Sequence, residues 1–226
     1  FFTNTVQIIK PASADPSTAP AFATHTSPDT HPSDDGHRRR LSGVVLATYG
    51  DDAFFLKTDA NFRVRVHLVP GLPLPAPNTG VTVAGFPCHS LFFTEFANAI
   101  CRREAVPSLA PDTPTDVTPA ELLLDKQNRR RLKYQMDGRL IRIRGTAIAV
   151  STRDSGRRDL HLLCGSETVR AETRDFPLPQ LGSVVEVTGI CRFLGLEDGN
   201  VSGARRLNGF SVLPRTAADI RALKEP

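Results

Sequence analysis

The chain of 226 residues has no tryptophan, only two tyrosines and one methionine, so a folded core must be built from Phe, Leu, Ile and Val. It contains no run of 18 or more apolar residues, which excludes a membrane-spanning helix within it. Its four cysteines, Cys88, Cys101, Cys164 and Cys191, show none of the short paired spacings of a structural zinc site; the nearest two lie 13 apart. A nucleophile elbow, an HExxH motif, a P-loop and a dinucleotide fingerprint are all missing. These absences argue against an enzyme and imply no cofactor. The charge excess is small as well: +4, with a pI near 9.1, is compatible with an anionic ligand but is weak by itself. The chain opens on Phe1-Phe2 without an initiating Met and reads as an excised or processed piece.

What is present is a repeat. Leu41-Ser-Gly43-Val-Val-Leu-Ala-Thr48, followed by Gly80-Val-Thr-Val-Ala-Gly85-Phe-Pro87, returns as Ile143-Arg-Gly145-Thr-Ala-Ile-Ala-Val150 and Gly182-Ser-Val-Val-Glu-Val-Thr-Gly189-Ile-Cys191. Gly43 and Gly85 are 42 apart, Gly145 and Gly189 are 44 apart, and two small β-domains of one design follow. In each, five alternating segments with an open, Pro-containing connection between the third and fourth describe a Greek-key barrel of the OB type. A glycine inside the first strand suits the bend that such a long strand must make. The fold class is all-β: two tandem OB-like five-stranded Greek-key barrels joined by a linker with a short helix.

The expected boundaries are a leader over 1–37, a first barrel over 38–106, a linker over 107–136, a second barrel over 137–215 and an exit segment over 216–226. The leader is rich in Pro, Ser, Thr, Ala and Asp, cannot bury a core, and should be an extended arm packing, if anywhere, on the first domain. In the linker, Thr118-Pro119-Ala120-Glu121 supplies an N-cap hydroxyl, a first-turn proline and a Glu at N3, and predicts a helix of two to four turns.

Three groups of residues are candidates for binding. Arg63, Arg65 and His67 share the polar face of the third strand, with Lys57 beside them on the second. That face of an OB barrel is where oligonucleotides or sugars lie, and the competing reading is a solvated basic face that keeps the sheet soluble. Phe92, Phe93 and Phe96, read as lying between strands four and five, are either a ligand-contacting rim or a cap on the barrel end. Cys88 ends one strand and Cys101 lies in the next, so a disulfide is geometrically open to them in an oxidising compartment; otherwise all four cysteines are small buried apolar residues. His25, His31 and His37, scattered in the leader, do not make a metal site. Of Phe54, Phe55 and Phe62, at most one faces outward, and the second barrel has few aromatics, which counts against a nucleic-acid tract crossing both barrels.

The chain resembles the extracytoplasmic sensory regions of bacterial membrane-bound sensor kinases, often hybrid histidine kinases, built of tandem OB-like domains. The resemblance rests on Asp137-Gly-Arg-Leu-Ile-Arg-Ile-Arg-Gly145, on Thr118-Pro-Ala-Glu-Leu-Leu123 and on the ending Phe210 to Pro226. It departs from the pattern in its long leader and in a first barrel without the Asp137-Gly138 opening. The resemblance implies a non-enzymatic sensory region on the periplasmic side of a membrane-anchored signalling protein. It further implies a transmembrane helix and signalling region after Pro226, and a small-molecule, saccharide or protein ligand rather than nucleic acid. Edge strands of two copies could pair into a homodimer. The alternatives are a soluble OB-fold protein binding single-stranded nucleic acid through the basic face of the first barrel, and a structural extracellular module.

Overall fold

The computed structural model describes residues 15–22, 37–89, 93–105, 109–123, 125–126, 129–130, 133–153, 156–195 and 207–226. Alternating apolar residues between 39 and 103 form β1 (Arg39–Tyr49), β2 (Ala53–Lys57), β3 (Arg63–Leu68), β4 (Gly80–His89) and β5 (Thr94–Arg103). They close into a barrel in the order β1-β2-β3-β5-β4, antiparallel except for the parallel β3–β5 pair. The linker holds β6 (Thr115–Asp116), the helical turn α1 (Pro119–Leu122), β7 (Asp125–Lys126) and β8 (Arg129–Arg130). The plan then repeats with β9 (Leu140–Thr152), β10 (Arg158–Cys164), β11 (Glu167–Arg174), β12 (Val184–Gly195) and β13 (Leu207–Leu213), β12 pairing back onto β9 to complete a second barrel. The two tandem OB-like barrels expected from the repeat are thus present.

The repeated glycines have equivalent physical roles. A Cβ on Gly43 would meet the Lys57 carbonyl of β2, and one on Gly145 would meet the Leu163 carbonyl of β10 at 2.8 Å. In both barrels the first strand bends so closely over the end of the second that no side chain fits between them. The interiors are apolar: Phe54, Leu56, Val66 and Phe96 fill the first, and Ile141, Leu160, Leu162 and Phe193 the second, each at most 1% exposed. Burying each such side chain contributes about 1.5–3 kcal/mol.

Three peripheral segments differ from or refine the sequence expectations. Residues 15–22 of the leader pack on the first barrel: Ala21 bridges Arg40, and Phe22, 8% exposed, meets Phe96 edge-on with ring centroids 5.2 Å apart. The expected helix of two to four turns is one turn, α1. Its capping box forms, Thr118 N–H donating to Glu121 Oε2 at 2.6 Å, but after Leu123 the chain turns into the β7–β8 hairpin. The cap marks where a helix starts and not where it ends; within α1, Pro119 and Leu122 are buried, Leu122 in the core of the second barrel. The segment after the second barrel is a strand, β14 (Ile220–Lys224), hydrogen-bonded to β12 over Val184–Val187.

Candidate functional site

The expected ligand face of the first barrel is covered. Phe54 points into that barrel, whereas Phe55 points outward with Ala53, Ala47 and Tyr49 and packs on Leu140, Ile190 and Leu213 of the second barrel. Phe55, Ile190 and Leu213 are each 1% exposed. The outward aromatic is therefore seam packing rather than a stacking platform.

The charged residues of that face are equally committed. Lys57 Nζ donates to Ala110 O at 2.9 Å and to Asp112 Oδ1 at 2.6 Å, and Arg63 Nη2 donates to Asp112 Oδ2 at 2.9 Å. Arg65 grips Asp137 at two points, Nε to Oδ2 at 2.9 Å and Nη2 to Oδ1 at 2.6 Å, and also donates to Phe193 O at 2.7 Å. Its guanidinium lies 3.8 Å from the centre of the Phe93 ring. His67 stands edge-on to Tyr49, with ring centroids 5.9 Å apart. Burial works to raise the Asp112 carboxyl, but the hydrogen bonds and charges of Lys57 and Arg63 overcome it and hold the group below the usual carboxylate range. At Asp137 burial dominates and pushes the carboxyl up against the pull of Arg65. Of the four residues read as a ligand site, Lys57 and Arg63 thus join the first barrel to the linker and Arg65 joins it to the second barrel, while His67 meets Tyr49 within the first.

The aromatic rim is not a unit either. Phe96 belongs to β5 and lies fully inside the first barrel, and Phe93 packs against the core of the second. Phe92 lies outside the described residues, as do His25, His31 and residues 196–206.

The disulfide left open to Cys88 and Cys101 is ruled against by register: Cys88 pairs with Glu95, whereas Cys101 pairs with Val83. Five positions of extended strand separate them, ~17 Å, against the roughly 7 Å limit between bridged Cα atoms. No cysteine is in a disulfide. Burial pushes the Cys164 thiol up to about 11 and raises those of Cys101 and Cys191 as well.

The equivalent face of the second barrel is open, and it carries arginine. Leu160 and Leu162 of β10 and Val169 and Ala171 of β11 point inward; alternation turns Asp159, His161, Arg170, Glu172 and Arg174 outward. The register sets Arg158 opposite Arg174, Asp159 opposite Glu172 and His161 opposite Arg170. Arg153, from the turn before β10, reaches Asp159 at 2.7 Å and Glu172 at 3.1 Å. Arg170 lies 3.7 Å from Asp159 and 3.6 Å from Glu172, and Arg192 lies 2.8 Å from Glu172. Three guanidinium groups thus share two carboxylates. Arg158 donates only to the Phe176 carbonyl, at 2.9 Å, and Arg174 has Asp175 beside it. Arg170 Nε, Arg174 Nη2 and Arg192 Nε are buried without a hydrogen-bond partner among the described residues, as is Asp159 Oδ1. Guanidinium groups outnumber carboxylates, and an oxyanion that reaches the exposed parts of Arg153 and Arg170, 30% and 33% exposed, gains charge-assisted hydrogen bonds. Burial and the nearby charge of Arg157 together depress Arg174, in keeping with crowding of like charge.

This face borders the first barrel: the Arg192 guanidinium lies 4.8 Å from the centre of the Tyr49 ring, and Arg157 bonds the Gly50 carbonyl and lies 2.9 Å from Asp51. Sequence reasoning missed it although the signal is present. Arg170-Ala-Glu-Thr-Arg174 alternates as clearly as Arg63 to His67 does, and only burial separates the open face from the covered one.

No family model matches the chain, and no curated protein matches it. Among solved structures it is similar to a murine DNA-binding protein bound to double-stranded DNA, at 10% identity over 83% of this chain and 97% of that one, with a TM-score of 0.34. It is also similar to the p204 HINb domain, at 11% identity over 78% and 93% of the two chains, with a TM-score of 0.36. A third is a putative aspartyl-tRNA synthetase from Leishmania major, at 13% identity and a TM-score of 0.34, where the match covers 54% of this chain and 23% of the other. Against the expectation that set nucleic acid aside as a partner, structures solved with double-stranded DNA stand among these neighbours. At such identities the likeness concerns architecture, and the ligand must be argued from this chain's own residues.

Proposed function

We propose that the chain is a non-catalytic module that binds nucleic acid through its phosphate backbone, on the outer face of β10 and β11. The observation that carries this reading is the surplus of positive charge there: five arginines, Arg153, Arg158, Arg170, Arg174 and Arg192, gather around two carboxylates, Asp159 and Glu172, with Asp175 beside Arg174. Strands two and three of an OB barrel are where such ligands lie, and in this protein that face is open only in the second barrel. The outward side chains of β10 and β11 include no Phe or Tyr, so contact is to phosphate rather than by base stacking, and binding is tolerant of base sequence. Fluorescence anisotropy with a mixed-sequence oligonucleotide, single-stranded and duplex, across a salt series tests it. Log affinity should fall linearly with log salt, by about 0.7 per phosphate contact on a single strand. Arg170→Ala with Arg174→Ala should weaken binding and flatten that slope. A salt-independent affinity, or one unchanged in the double variant, contradicts the reading.

A second reading keeps the sensory role in a membrane-anchored, extracytoplasmic protein. The observation favouring it is β14, whose register along β12 ties the segment leaving the second barrel to its sheet, as a relay element requires. Deleting residues 216–226 in a parent receptor without changing its output would count against it.

A further inference from the structure

The first barrel and the linker meet in an ion cluster. Lys57 and Arg63 both donate to the carboxylate of Asp112, at 2.6 and 2.9 Å, one to each oxygen. Arg139 adds a third positive charge nearby: burial first, and then the charge of Arg63, depress it, and Asp112 favours it. One carboxylate therefore sits among three cations, with both oxygens held as two oxygens of a phosphate would be. The side chains of Lys57 and Arg63 are 9% and 6% exposed, so the linker is their lid.

Beside this cluster lies a cavity of about 390 Å³ between the barrels. Val44, Leu46, Leu140 and Ile190 give it apolar walls, and Lys57, Asp112, Glu104 and Arg215 give it charged ones. Its volume falls in the range of small-ligand sites.

We propose that Lys57 and Arg63 form a phosphate-binding site, that the adjoining cavity takes the body of a nucleotide, and that Asp112 occupies the site as an internal competitor until a phosphate displaces it. The phosphate could belong to a free nucleotide or to the end of a nucleic-acid strand. This site is separate from the arginine face of the second barrel and stands without it.

The test titrates adenosine monophosphate, inorganic phosphate, and 5′-phosphorylated and unphosphorylated oligonucleotides against the wild-type chain and Asp112→Asn, by calorimetry. Removing the competing charge should tighten adenosine monophosphate binding by at least about tenfold, as a 1.4 kcal/mol change gives. Adding Lys57→Met or Arg63→Met to D112N should abolish that gain. A gain for the nucleotide that survives R170A/R174A separates this site from the proposed function, which fails or holds on the oligonucleotide alone. A preference for the 5′-phosphorylated strand over the nucleotide assigns the phosphate to strand ends, and the reverse assigns it to free nucleotide. Should D112N not fold, amide exchange on the wild-type chain decides: millimolar adenosine monophosphate should speed exchange at residues 109–112 as the linker lifts. Unchanged affinity in a folded D112N, or unchanged exchange at 109–112, overturns the proposal.

Discussion

Arg65 and Asp137 are 72 positions apart in the chain, and they meet in a two-point contact that closes the first barrel onto the second. Asp137 Oδ1 also accepts the Phe193 N–H at 2.9 Å, and Arg65 donates to the Phe193 carbonyl, so one backbone residue of β12 is held from both sides. The charges are nearly buried, each side chain 10% exposed. Arg65→Met should therefore cost about 3–5 kcal/mol by leaving the Asp137 carboxylate buried without its partner. The double change with Asp137→Leu should recover much of the loss. Urea denaturation of the three chains checks this; equal stability of single and double variants would show that the charges do not act as a pair.

Phe22 tests whether the leader belongs to the first barrel. It is 8% exposed and in ring contact with Phe62 and Phe96. Phe22→Ala should destabilise the chain by about 3 kcal/mol. A melting temperature unchanged in F22A would mean that the arm contributes nothing to the fold.

The cysteines separate by burial. Cys88 is exposed, whereas Cys101, Cys164 and Cys191 are held above the usual thiol range by desolvation. A thiolate is the reactive form. Alkylation of the native chain at neutral pH should label Cys88 first and the other three only on unfolding, and oxidation should form no Cys88–Cys101 bond. Peptide mapping by mass spectrometry reads both outcomes.

Asp112 gives the linker contact a pH dependence of known sign. Its carboxyl is held low in the folded chain, so the stability it contributes is fully present above the unfolded value of about 3.9 and is lost as pH falls through the lower folded value. Urea midpoints should be insensitive to this contact between pH 7 and 5. Below pH ~4 the wild-type chain should lose more stability than Asp112→Asn does.

The barrels were legible in the sequence because alternation and glycine spacing are local. Gly43 and Gly145 mark the same bend 102 positions apart, and nothing distant is needed to recognise them. The site was legible only as composition. Arg63, Arg65 and His67 alternate as outward residues should, but whether an outward face meets water or a second domain depends on Leu140, Ile190 and Leu213, which no local pattern links to β3. Phe96 falls inside β5 rather than between strands four and five because that strand already starts at Thr94. The helix at Thr118 is shorter than its cap suggests for a related reason: a cap is a local signal of where a helix starts, and it does not fix where the helix ends.

The most direct test of the central claim is amide hydrogen exchange of the full chain with and without a saturating single-stranded oligonucleotide. The account predicts new protection across residues 158–174, with β2 and β3 unchanged because the second barrel already covers them. Protection confined to residues 53–68, or none at 158–174 under saturating conditions, would contradict it.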